Sequence, residues 1–259
     1  MIRELRLEIA NGIATITIDR PKVRNAITLA MWEAIPTLME TVTQDATVRA
    51  IVFRGAGEQA FASGADISEF EKVRRDAATA QAYNQTVDTA LAALRSCPKP
   101  TVAMIFGHCV GGGLELALAL DLRFAADTAR FAIPAARLGL AYGLDSTSCL
   151  VRLVGPARAK EILFSGRTFD AGEAAEMGFV NRVLPARALE SYTDDYLRQV
   201  AANAPLSIRG AKAMIEGITS GDLNAQEIRQ IVSEIFDSHD YREGVRAFLE
   251  KRTPRFEGR

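Results

Sequence analysis

The chain of 259 residues has only two histidines, His108 and His239, and its three cysteines, Cys97, Cys109 and Cys149, are scattered with no CxxC among them. Most metal centres and most serine or cysteine triads need a well-placed imidazole, so such chemistry would have to run through one of two residues. An odd, dispersed set of thiols suits neither a disulfide framework nor a zinc site, and no His/Cys/Asp cluster has ligand spacing, so no metal is expected. No apolar run approaches the roughly 20 residues a membrane span requires. The segment Met1-Ile2-Arg3-Glu4-Leu5-Arg6-Leu7 carries neither a secretory apolar core nor Arg/Ser-rich transit character. A formal net charge of −1 argues against a nucleic-acid or membrane partner. The expectation is a cytoplasmic, enzyme-sized protein.

What is present is ordinary globular material, 48% apolar and 24% charged, in a length that suits one large α/β domain or one domain with a small appendage. Ile13, Thr15, Thr17 and Asp19 alternate with Ala14, Ile16 and Ile18, which predicts a hairpin of strands 4–9 and 13–19 around Asn11-Gly12. Thr28 caps a predicted helix to about Asp45, with Pro36 as a kink or break. Strands are predicted at 48–54, 101–105, 121–126, 130–133 and 181–184. Helices are predicted over 67–96, from Leu114, at 146–153 and 156–164, and over nearly everything after Ala186. Strand–strand–helix repeats followed by grouped helices indicate an α/β fold.

Two glycine-rich segments stand out, Phe61-Ala62-Ser63-Gly64-Ala65-Asp66-Ile67 and Gly107-His108-Cys109-Val110-Gly111-Gly112-Gly113-Leu114-Glu115-Leu116-Ala117. Glycine permits positive φ and close approach of a ligand to main-chain N–H groups. In the second segment the glycines lead into an apolar helix, whose first N–H groups lack intrahelical acceptors and attract a developing oxyanion. Glu115 lies in that first turn. The helix dipole alone also favours a glutamate there, so the pattern leaves both readings open.

These two segments resemble the signature pair of the crotonase (enoyl-CoA hydratase/isomerase) superfamily. Pro21-Lys22-Val23-Arg24-Asn25-Ala26-Ile27 is similar to that family's early CoA-contacting loop, and the stretches 168–185 and 241–252 match later segments, so the likeness runs through the whole chain. It implies a crotonase-like spiral of ββα repeats, with a core over 1–195 and a C-terminal helical region over 196–259 that mediates trimer formation, as a homotrimer or a dimer of trimers. The substrate implied is an acyl-CoA thioester, with CoA as part of it and no separate cofactor. The N–H groups of Ala65 and Gly112 would form an oxyanion hole, with Glu115 as the main acid/base. Ala62, Asp66 and Ile67 would line the adenine and pantetheine path. Lys22 and Arg24 would approach CoA phosphates, although solvated loop charges look the same in a sequence. Phe248 and Lys251 resemble C-terminal CoA contacts often made across a subunit boundary. The resemblance also assigns substrate or CoA contact to Val23, His108, Val110, Pro134, Ala135 and Leu138.

One position departs from the hydratase pattern. Where the resemblance puts a second glutamate, just after Pro134, the chain has Ala135, which moves no proton. Nearby stand Tyr142, either a packed aromatic or a site residue, and Asp145, either a helix N-cap or a catalytic carboxylate. The stretch Leu138-Gly139-Leu140-Ala141-Tyr142 is similar to the methylmalonyl-CoA decarboxylase branch, which makes decarboxylation an alternative to hydration or isomerisation. A catalytically degenerate acyl-CoA-binding protein is the alternative of another class. Two further readings are weaker. Gly55-Ala56-Gly57-Glu58-Gln59-Ala60 fits a dinucleotide fingerprint only if a helix follows at once, and Ser63 lacks the first glycine of a nucleophile elbow.

Overall fold

The computed structural model describes residues 2–221 and 223–259. Strands β1 (Leu5–Ala10) and β2 (Ile13–Ile18) form the expected antiparallel hairpin. Its turn residues Asn11 and Gly12 both have positive φ, 52° and 78°, as a tight two-residue hairpin demands. Helix α1 (Leu29–Gln44) starts at Thr28, whose hydroxyl accepts from Met31 N at 3.2 Å, and continues through Pro36. The expected break is overridden because Ile35, Leu38 and Met39 around the proline are buried in the core.

The remaining elements follow in chain order: β3 (Ala50–Gly55), β4 (Ala60–Ala62), α2 (Phe70–Val73), α3 (Ala77–Arg95), β5 (Thr101–Ile105), β6 (His108–Val110), α4 (Gly112–Leu118), β7 (Leu122–Ala126) and β8 (Arg130–Ala132). Then come α5 (Leu144–Ser165), β9 (Thr168–Asp170), α6 (Ala171–Glu176), β10 (Arg182–Leu184), α7 (Ala186–Ala201), α8 (Pro205–Ser220), α9 (Ala225–Asp237) and α10 (His239–Leu249). The two helices predicted over 146–164 are one run broken at Gly155, whose φ of 79° is not helical.

Two sheets result, ordered β1-β2-β3-β5-β7-β10 and β4-β6-β8-β9. Each turn of chain places one strand in each sheet: β3 then β4, β5 then β6, β7 then β8. This is the spiral of ββα units that the resemblance implies. In the larger sheet every pair except β1–β2 is parallel. Both faces of its middle strands are covered, which is why they read as continuous apolar runs. Ile51, Phe53, Ala103 and Ile105 join the core under α1 and α3, while Ala50, Val52, Val102 and Met104 join a second cluster under α7.

Strands β4, β6 and β9 are absent from the strands predicted from the sequence. Three residues cannot display a period of two, and each strand exists only through pairing with a distant partner. A packed triad of Phe131, Phe169 and Phe179, with ring centroids 5.3 to 5.8 Å apart, joins β8, β9 and the turn before β10. Helix α7 runs across residue 195 and packs on the larger sheet, so the helices outside the core are α8, α9 and α10. Among the described residues no helix is long and apolar enough to cross a membrane.

Candidate active site

Parallel pairing of β4 with β6 brings the two glycine-rich segments together at a cavity of about 130 Å³. Ile27 N donates to Gly64 O at 2.8 Å and Asp66 N to Ile27 O at 2.9 Å, which pins the first loop on both sides of Ala65. The Ala65 N–H itself has no acceptor among the described residues. Gly112 opens α4, where an N–H has no intrahelical acceptor. A Cβ on Gly112 would lie 3.4 Å from Ala65 N, so a side chain there would cover the neighbouring donor. Glycine at this position leaves two adjacent N–H groups open to the cavity.

Glu115 lies one turn into α4, its N bonded to Gly111 O at 2.9 Å, and its side chain lines the cavity. Burial pushes its carboxyl up to about 7 from an ordinary 4.5. The Ser146 hydroxyl and the Arg74 guanidinium temper that rise, and the charge of Asp88 adds to it. Ser146 Oγ is buried and stands beside Glu115 without satisfying hydrogen-bond geometry, so it has no settled partner. These side chains converge on Gly143. A Cβ there would lie 3.7 Å from Ser146 Oγ, 3.8 Å from Glu115 Oε1 and 3.9 Å from Asp88 Oδ1. Tyr142 also lines the cavity, and its hydroxyl is buried without a partner. Burial first, then the Glu115 charge, holds this phenol well above its usual range, so it stays a neutral O–H donor.

A family model described as enoyl-CoA hydratase/isomerase matches residues 8–259. The chain belongs to the enoyl-CoA hydratase/isomerase family. Among solved structures similar to it is an enoyl-CoA hydratase/carnitine racemase from Magnetospirillum magneticum, with a TM-score of 0.96 at 37% identity over 100% of this chain and 97% of the other. The short-chain enoyl-CoA hydratase of Clostridium acetobutylicum is 30% identical over 95% of this chain and 94% of its own. The 2,3-dehydroadipyl-CoA hydratase of Escherichia coli is 31% identical over 99% of both.

Of the residues singled out in the sequence of this hydratase/isomerase family member, the cavity gathers Ala65, Ile67, Val110, Gly112, Glu115, Pro134, Ala135, Leu138 and Tyr142. Others lie elsewhere. Ala62 is fully buried, and its carbonyl and methyl pack against Gly113, so it is a packing residue and not part of the cavity wall. Asp66 turns away from the cavity, accepting from Arg20 Nη1 at 2.8 Å and from the Ser68 hydroxyl at 2.7 Å, which fixes the loop. His108 sits in β6 outside the cavity lining. Lys22, Val23 and Arg24 are exposed beside it, joined to the first loop by Ser63, which donates its hydroxyl to Val23 O and its N–H to Arg24 O. Phe248 and Lys251 are exposed on α10 and just after it, away from the cavity.

Asp145 is neither cap nor cavity residue. Gly143 is the N-cap of α5, and Asp145 pairs with Arg95 at 2.9 Å. The dinucleotide reading fails because β4 follows Gly55–Ala60 where a helix is required. Sequence reasoning missed Arg74, Tyr83, Asn84, Val87, Asp88 and Ser146, all cavity residues except Ser146, which adjoins Glu115. The stripe 83, 84, 87, 88 at helical spacing was a signal, but nothing in the chain showed that this face of α3 looks into a cavity rather than solvent.

Proposed function

We propose that this protein hydrates an enoyl-CoA thioester through an enolate held by the N–H groups of Ala65 and Gly112. The observation that carries the reading is the adjacency of those two open donors in one cavity with Glu115. The Glu115 carboxylate takes a proton from water as the water oxygen bonds to Cβ. The C=C electron pair moves through Cα to the thioester oxygen, and the two N–H groups hold the charge that develops there. Glu115 then returns the proton to Cα and the carbonyl re-forms. The protons balance with one carboxyl, which accommodates Ala135, and a group near 7 is suited to both transfers. One such N–H donor is worth about 3 kcal/mol of transition-state stabilisation. CoA enters as part of the substrate, and no other cofactor takes part.

Exposed Lys22 and Arg24 beside the cavity supply positive charge for the CoA phosphates. Helices α8 to α10 leave Ile218, Phe248 and Leu249 largely exposed, at 69%, 83% and 74%, which supports a trimer or dimer of trimers in which Phe248 and Lys251 reach a neighbour's CoA.

Single-turnover loss of crotonyl-CoA absorbance tests the reading. Wild-type protein is expected to consume it, and Glu115→Gln to bind acyl-CoA without turning it over. Wild-type turnover in the variant removes Glu115 from the chemistry. Carbon dioxide from methylmalonyl-CoA, with crotonyl-CoA untouched, selects the decarboxylase reading. Ala135 favours that alternative, because decarboxylation needs an enolate hole but no second carboxyl base. Tight binding without either reaction selects the binding-only reading.

A further inference from the structure

We propose that the acyl end of the cavity is a carboxylate-binding subsite built on Arg74, so that the preferred ligand is a CoA thioester whose acyl chain ends in a carboxylate. The proposal rests on the acyl-CoA reading above and adds the chemistry of the acyl group.

Arg74 follows α2, its N bonded to Phe70 O at 2.8 Å, and lines the cavity. Its guanidinium carbon lies 3.9 Å from the centre of the Tyr83 ring and 5.1 Å from that of Phe70. Two aromatic faces hold the planar cation in place without neutralising it. Its one side-chain hydrogen bond is a long one, Nη2 to Asn84 Oδ1 at 3.4 Å, and Nε is buried with no acceptor. Among the described residues no carboxylate pairs with it.

Other enclosed arginines are satisfied. Arg20 pairs with Asp66 at 2.8 Å, and Arg123 donates to the carbonyls of Phe179, Ala117 and Leu120. Arg74 lines the same cavity as Glu115 and acts on its charge, whereas Lys22 and Arg24 are outside that lining. The buried hydroxyl of Tyr142, another cavity residue, is also unpaired. A hydrocarbon chain would leave both donors unsatisfied, whereas carboxylate oxygens accept from a guanidinium in a forked, charge-assisted geometry. The cavity's own carboxyls do not fill the role. Glu115 is committed to the reaction, and the charge of Asp88 is already engaged with those of Asp145 and Arg95.

Calorimetric binding of matched thioesters to the full chain tests this. Succinyl-, glutaryl- and adipyl-CoA are each compared with the methyl-ended counterpart of equal length, butanoyl-, pentanoyl- and hexanoyl-CoA. Wild-type protein is expected to bind at least one carboxylated member about tenfold more tightly than its counterpart, and Arg74→Met to bring that pair level. Equal binding within every wild-type pair overturns the subsite while leaving the acyl-CoA reading intact, and so does a preference that survives Arg74→Met. Failure of all six thioesters to bind overturns the acyl-CoA reading and the subsite with it.

Discussion

Glu115 is placed where reactivity and stability pull against each other. A carboxyl near 7 must be ionised to take a proton from water, so kcat/KM is expected to fall as pH drops below about 7, with uptake of one proton. The same shift acts on folding with the opposite sense. Between the ordinary value of 4.5 and about 7 the folded chain holds the Glu115 proton more firmly than the unfolded chain does. Stability associated with this group is therefore complete below about 4.5 and lost as pH rises through 7, by on the order of 3 kcal/mol. Glutamine ionises at no pH. Urea unfolding of Glu115→Gln should match wild type near pH 4.5 and exceed it by roughly that amount at pH 8. Parallel pH profiles for the two proteins would mean that the carboxyl is not desolvated as the structure has it.

At the scale of elements, the site depends on how closely α4 approaches β4. A Cβ on Gly113 would lie 2.4 Å from Ala62 O and 2.7 Å from Ala62 Cβ, so the helix seats only with glycine there. Gly113→Ala should cost about 1–3 kcal/mol of stability, as overpacking in a core does. It should also lower turnover sharply, because α4 carries both Gly112 and Glu115. Thermal unfolding and crotonyl-CoA turnover measure the two effects. Gly244→Ala in α10 is the control: its Cβ would meet only the Phe256 ring, at 3.5 Å, and little change in turnover is expected. A Gly113→Ala protein of wild-type stability would show that the two elements have room to part.

The whole molecule has a well-covered sheet and a poorly covered helical face. Both faces of the larger sheet's middle strands are packed, whereas α9 buries no residue fully and α8 only Gly210. Exposed apolar residues there include Phe236, Phe248 and Leu249. Sedimentation velocity is expected to show a trimer or hexamer, and Phe248→Asp with Leu249→Asp a smaller species, because charge on that face opposes association. A monomeric wild-type protein at micromolar concentration would remove the oligomer, and with it the role of Phe248 and Lys251 toward a neighbour's CoA.

Local physics made much of this protein legible in its sequence. Alternation marked the β1–β2 hairpin, Asn11-Gly12 supplied its positive-φ turn, Thr28 capped α1, and Gly155 divided α5. The glycines before α4 suggested main-chain donors open to a ligand, but it was the likeness to the crotonase superfamily that singled out Ala65 and Gly112. Tertiary structure alone decided the rest. Strands β4, β6 and β9 exist through partners far along the chain, and the proline in α1 is tolerated because its flanks are buried. Ala62 and Asp66 sit within a signature motif yet serve packing and loop geometry. The face of α3 bearing Tyr83, Asn84 and Asp88, and the Arg74 guanidinium with its partnerless Nε, came to line one cavity only through folding. Spacing along a helix determines which side chains share a face; what that face meets is set by contacts between residues remote in sequence, and no local pattern encodes them.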